Sequence, residues 1–109
     1  MFKLAAVKSV KWPIDVPIPQ DGGTVRKARF TAVFEMLPEG EYEEVAALDG
    51  RVAERVLIGW EGIAPEDGQG ETPYSEEAKT QLLAIPYVRL AVLKAYLQAQ
   101  SGTEAARKN

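Results

Sequence analysis

The 109-residue chain contains no cysteine and no histidine. Without cysteine there is neither a disulfide framework nor thiol redox chemistry. Zinc sites draw mainly on these two residues, so structural zinc is nearly excluded. Histidine-based acid–base and nucleophile chemistry is lost with them. An enzyme of this composition would have to work with carboxylates, lysine, tyrosine or serine alone, and no cofactor or metal is expected. Long apolar runs are also missing. None approaches the ~18 residues that suggest a membrane span, and the apolar run within "MFKLAAVKSV" is shorter than that of a secretory signal. A cytoplasmic chain is therefore expected. The net charge of −3 is the wrong sign for a protein that coats a nucleic-acid duplex.

What is present is ordinary for a globular chain: 46% hydrophobic and 27% charged residues, at a length that suits one domain spanning residues 1–109. The run "VKWPIDVPIP", residues 10–19, places Val10, Trp12, Ile14, Val16 and Ile18 on alternate positions. That is strand periodicity. Pro13, Pro17 and Pro19 fall between them and cannot donate to a β ladder. All three have odd parity, so their missing donors point to one edge. Such a strand belongs at a sheet edge, with one side barred to edge-to-edge pairing. "QDGG", residues 20–23, is a turn signal. In the following run Ala28, Phe30, Ala32, Phe34 and Met36 fall on one face and Lys27, Arg29, Thr31 and Glu35 on the other. The two runs predict a β-hairpin over residues 1–37, with residues 2–7 as a candidate third strand. Two strands are marginal in water, so helices must cover the apolar face.

The period changes after Leu37. Tyr42, Val45, Leu48, Val52, Val56 and Trp60 recur at helical steps. The acidic residues after Pro38 suit a helix start. Gly50, costly inside a helix, predicts a break near Asp49–Gly50 and two short helices, with Trp60 at the end of the second. "EGIAPEDGQGETP" reads as a loop. Ser75 reads as an N-cap for "SEEAKTQLLAI", and Pro86 opens a last helix, "PYVRLAVLKAYLQAQ", with Leu90, Leu93 and Leu97 on one stripe and Tyr96 alongside. Residues 38–102 are thus expected to be helical and 103–109 a loose tail. Strands first and helices after predict an α+β fold: an N-terminal hairpin packed against about four helices.

No motif in the chain demands chemistry. "EDGQGE" lacks the ligand register of a calcium loop. Ser75 and Lys79 are four apart where serine–lysine hydrolases need three, which leaves an N-cap and a surface lysine. No phosphate-binding glycine motif is complete. The candidate partner-binding residues are Lys11, Lys27 and Arg29, which project from the polar face of the hairpin, and Trp60 beside the acidic loop. A nucleic-acid-binding or regulatory protein using that basic face is the alternative function. No aromatic side chain interleaves there for base stacking. Residues 1–36 carry a net +3 and the remainder −6. Such polarity favours head-to-tail self-association.

The segments "VPIPQDGGTVRKA", "GWEG" and "YSEEAKTQLLAIPYVRLAVLKAYLQA" together resemble the tail assembly chaperones of long-tailed bacteriophages and their prophages, over nearly the whole chain. The resemblance implies a non-enzymatic cytoplasmic protein. It would bind the tape measure protein and keep it soluble while tail tube protein polymerises around it, and it would form homo-oligomers. In that family a ribosomal frameshift often yields a longer minor product. Arg107-Lys108-Asn109 can be encoded with the slippery heptamer A-AAA-AAC, an expectation that the codons decide.

Overall fold

A computed structural model describes residues 1–48 and 51–105. A twelve-residue strand β1 (Ser9–Gln20) turns into β2 (Thr24–Glu35). Helices α1 (Glu39–Leu48) and α2 (Val52–Val56) follow, then a strand β3 (Leu57–Glu61), then α3 (Glu76–Leu83) and α4 (Pro86–Ser101). The sheet is antiparallel in the order β1-β2-β3. The expected break at Asp49–Gly50 lies outside the described residues, although α1 and α2 are separate helices. Residues 106–109 of the expected tail are likewise outside them.

The prolines of β1 lie on the open edge of the sheet. β1 is an edge strand, paired from Ser9↔Glu35 to Gln20↔Thr24 with no register slip. Pro13, Pro17 and Pro19 oppose Thr31, Lys27 and Val25, so their donor-less nitrogens face away from β2. Gly22 and Gly23 both adopt positive φ (88° and 84°) in the turn. A side chain would be strained there.

The third strand is not residues 2–7, which form no strand. It is Leu57–Glu61, inside the stretch expected to be helical, so residues 38–102 are not helical throughout. Thr31↔Glu61, Ala32↔Trp60 and Val33↔Gly59 pair in register. Phe34 then meets Leu57, which leaves Ile58 as a bulge. Leu57 and Trp60 face inward and Ile58 outward. The helical spacing of Val52, Val56 and Trp60 is real as a pattern. The free edge of β2 outweighs it, because odd-numbered β2 amides that point away from β1 need acceptors.

The even positions of the hairpin form the core floor: Ile14, Val16, Phe30, Ala32 and Phe34 are buried. Val52, Ala53, Val56 and Leu57 join them from α2 and β3, Leu83 from α3, and Val88, Val92, Ala95 and Tyr96 from α4. Phe34 and Tyr96 stack edge to face, with centroids 5.3 Å apart, an arrangement worth about 0.5–1.5 kcal/mol beyond burial. The Ser75 hydroxyl accepts from the amide of Ala78 at 3.0 Å, capping α3 as its position predicts. Gly102, at φ 75°, closes α4.

Lys79 is not a surface lysine. Its side chain is 12% exposed. Nζ donates to the carbonyls of Glu54 (2.8 Å) and Leu57 (3.2 Å). A five-residue helix running straight into a strand leaves its last carbonyls without helical donors, and Lys79 supplies them. Arg89 of α4 grips Glu54 of α2 through both guanidinium Nη atoms, with Nη2 at 2.7 Å from Oε1. Burial works to raise the Glu54 carboxyl, but the Arg89 hydrogen bonds and charge outweigh it and hold the group below its usual range. These contacts lock α2, α3 and α4 into one layer over the sheet.

Candidate partner-binding surface

The four side chains singled out in the sequence do not form one site. Trp60 is 8% exposed. Its indole Nε1 donates to the carbonyl of Thr72 at 2.8 Å and its ring meets Tyr74 edge to face at 5.0 Å. It is a core residue that pins the acidic loop to the sheet, not an anchor for a partner. Lys11 bonds Glu61 at 2.8 Å across the exposed sheet face. That hydrogen bond, and then the Glu61 charge, raise its pKa. Arg29 opposes Asp15 on the neighbouring strand and holds it with Nε at 2.7 Å and Nη2 at 3.1 Å. The Arg29 hydrogen bonds lower the Asp15 pKa. The basic face is therefore largely neutralised by cross-strand pairing, which removes two of the three cations from the alternative nucleic-acid reading. Lys27 remains, and it lines a groove.

That groove, about 370 Å³, runs between the free edge of β1 and α4. Pro13 and Pro17 form one wall, and Tyr87, Leu90, Ala91 and Lys94 the other. Buried Ile14 is its floor. α4 presents two apolar stripes. Val88, Val92, Ala95 and Tyr96 face the core. Of Leu90, Leu93 and Leu97, the stripe conspicuous in the sequence, Leu90 (67% exposed) and Leu97 (42%) face outward, and Leu93 between them is half-buried against the core. Leu90, Lys94 and Gln98 are shared between the groove and the concavity beside Leu93 and Leu97, so the two are continuous.

The chemistry of the wall decides what can lie there. Along the β1 edge from Lys11 to Pro19, three of the five outward-facing positions lack an N–H. A strand added to this edge would find too few donors. A helix, whose backbone is satisfied internally, needs only side-chain contacts. Apolar positions spaced three and four apart would meet Leu90, Leu93 and Leu97, with acidic positions favoured beside Lys27 and Lys94. Among the described residues, no cluster of three or more metal-ligating side chains exists. No single helix among them is long and apolar enough to cross a membrane.

Compared with protein-family models, curated proteins and solved structures, the chain matches none. The groove was not legible in the sequence, because the parity of the prolines and the outward stripe of α4 lie about 75 residues apart in the chain. The available signal was that α4 is apolar on more than one side, more than a single core contact requires.

Proposed function

We propose that this protein is a tail assembly chaperone, which holds the tape measure protein of a long-tailed phage or prophage while tail tube subunits polymerise around it. The holding takes place in the host-cell cytoplasm and involves no turnover chemistry. The observation that carries this reading is the apolar concavity of exposed Leu90 and Leu97 with half-buried Leu93 between them, beside an edge strand barred to strand addition. This surface favours a helical guest, and a tape measure protein is expected to be long and helical. The resemblance of the hairpin, "GWEG" and α3–α4 segments supports the same reading. Apolar patches on a monomer's surface mark interaction sites, and Lys27 and Lys94 supply a charge preference at the rim.

Co-expression with the long helical protein encoded beside it tests the proposal. The guest is expected to stay soluble and to co-purify with the chain. Leu90→Asp with Leu97→Asp should abolish both effects while the circular dichroism spectrum stays unchanged, since both side chains are exposed. A guest that is equally soluble with and without the chain overturns the assignment.

A further inference from the structure

Four of the large apolar side chains that the structure leaves in water lie together: Met1, Phe2, Leu4 and Val7. Phe2 is 89% exposed. They belong to an eight-residue segment, "MFKLAAVK", that precedes β1 and takes no regular structure. Its last residue is anchored, because the carbonyl of Lys8 accepts from the amide of Met36 at 2.9 Å. From that root, seven residues reach at most roughly 23 Å. Lys3 and Lys8 make the arm basic.

A second groove lies where α1 begins and α4 ends. Leu37 and Tyr42 give it an apolar floor, Glu39 and Glu43 an acidic rim, and Gln100 and Ser101 close it. Glu41, midway between these two glutamates in the chain, reaches Arg55 at 3.7 Å. Glu39 and Glu43 make no ion pair among the described residues. The arm has apolar side chains without cover and two lysines; the groove has an apolar floor and two uncompensated carboxylates. In its own copy the arm stays outside this groove, with Phe2 and Leu4 in solvent.

We infer that the basic, apolar arm of one copy docks in the groove of a second, with Phe2 and Leu4 over Leu37 and Tyr42 and Lys3 beside Glu39 and Glu43. The contact is heterologous, since the arm and the groove are different surfaces, so repetition gives a ring or a spiral. It leaves the α4 stripe uncovered and does not rest on the chaperone reading.

Two full-length variants test it by sedimentation and light scattering. One carries Phe2→Ser, Lys3→Ser and Leu4→Ser, which leaves the arm polar and uncharged; the other carries Glu39→Lys and Glu43→Lys. All five positions are exposed, so both variants should keep the wild-type spectrum. The wild type is expected to associate with rising concentration and to dissociate as salt is added. Each variant alone should associate at least about tenfold more weakly, a change of about 1.4 kcal/mol. Mixed together they should form a one-to-one pair and stop, because one intact arm meets one intact groove. A wild type that stays monomeric, a variant that associates as the wild type does, or a mixture without pairs overturns the inference. So does an arm protected from protease in dilute monomer, which would place it in its own copy's groove.

Discussion

The backbone amide of Leu37 donates to the hydroxyl of Tyr96 at 3.0 Å. The two residues are 59 positions apart, and the bond ties the exit of the hairpin to the centre of α4. Both ends are buried, and Tyr96 also stacks on Phe34 and lies 6.3 Å from the ring of Tyr42. A buried amide that loses its acceptor costs about 1–3 kcal/mol.

Tyr96→Phe keeps the ring and removes the acceptor. Stability by urea unfolding is expected to fall by about 1–3 kcal/mol, with unchanged cooperativity. Burial, the largest influence, pushes the Tyr96 hydroxyl above the usual tyrosine range. In the wild type its ionisation, followed by near-ultraviolet absorbance, should therefore lag behind that of an exposed tyrosine. A variant as stable as the wild type would show that Leu37 finds another acceptor.

Lys79→Met tests the cap on α2. The methionine can fill the same partly buried channel but leaves the carbonyls of Glu54 and Leu57 without the Nζ donor. A loss of about 1–3 kcal/mol is expected. Hydrogen exchange should rise at the α2–β3 junction and stay constant in the hairpin. Uniform exchange across the chain would contradict the local role.

Gly59→Val tests the close approach of β3 to β2 beside the bulge. A Cβ on Gly59 would lie 3.3 Å from both Cβ and Cγ2 of Val33, so the Val33 side chain would have to give by a few tenths of an ångström, and the further methyls of valine add to the crowding. Overpacking of this kind costs about 1–3 kcal/mol. Release of β3 would also loosen the acidic loop that Trp60 holds, so proteolysis within residues 62–71 should accelerate. An unchanged cleavage rate would separate the loop from the strand.

Acid should destabilise the fold through Glu54 and Asp15. Both carboxyls titrate lower in the folded chain than in the unfolded one: Glu54 because Arg89 outweighs the effect of burial, Asp15 because of its bonds to Arg29. Their contribution is fully present above the unfolded values, about 3.9 to 4.3. It is lost as pH falls through the lower folded values. These pairs are partly exposed, so each is worth no more than about 1 kcal/mol. Urea midpoints should hold steady from neutrality to about pH 5 and drop below about pH 4. Glu54→Gln combined with Asp15→Asn should flatten that drop. A double variant with the same acid slope as the wild type would assign it to other groups.

The hairpin was written locally. Alternation from Val10 to Ile18 and from Ala28 to Phe34 sets which face is buried, and a strand with a period of two has no other way to hide those side chains. The odd parity of Pro13, Pro17 and Pro19 makes β1 an edge before any neighbour is known, because a missing donor is a property of the residue itself. The Ser75 cap and the α+β order follow from equally short-range rules. Lys11, Lys27, Arg29 and Trp60 were visible as candidates, but not their surroundings. Glu61 and Asp15 neutralise the first and third, and Thr72 and Tyr74 enclose the last.

Other features depended on contacts between distant segments. "LIGWE" continues a helical period from α2, and so short a run fits strand or helix equally well. The open donors of β2 decided for a strand, which is why residues 2–7 were left outside the sheet. On α4, Val88, Val92 and Ala95 are as apolar as Leu90, Leu93 and Leu97, so hydropathy could not say which stripe faces in. The ring of Tyr96 settles that orientation, because its hydroxyl must reach the amide of Leu37 while its edge packs on Phe34. A periodic pattern tells each element which of its faces can be buried. Where two faces qualify, or two elements compete for one stretch of chain, the unpaired hydrogen-bond groups of a remote neighbour break the tie.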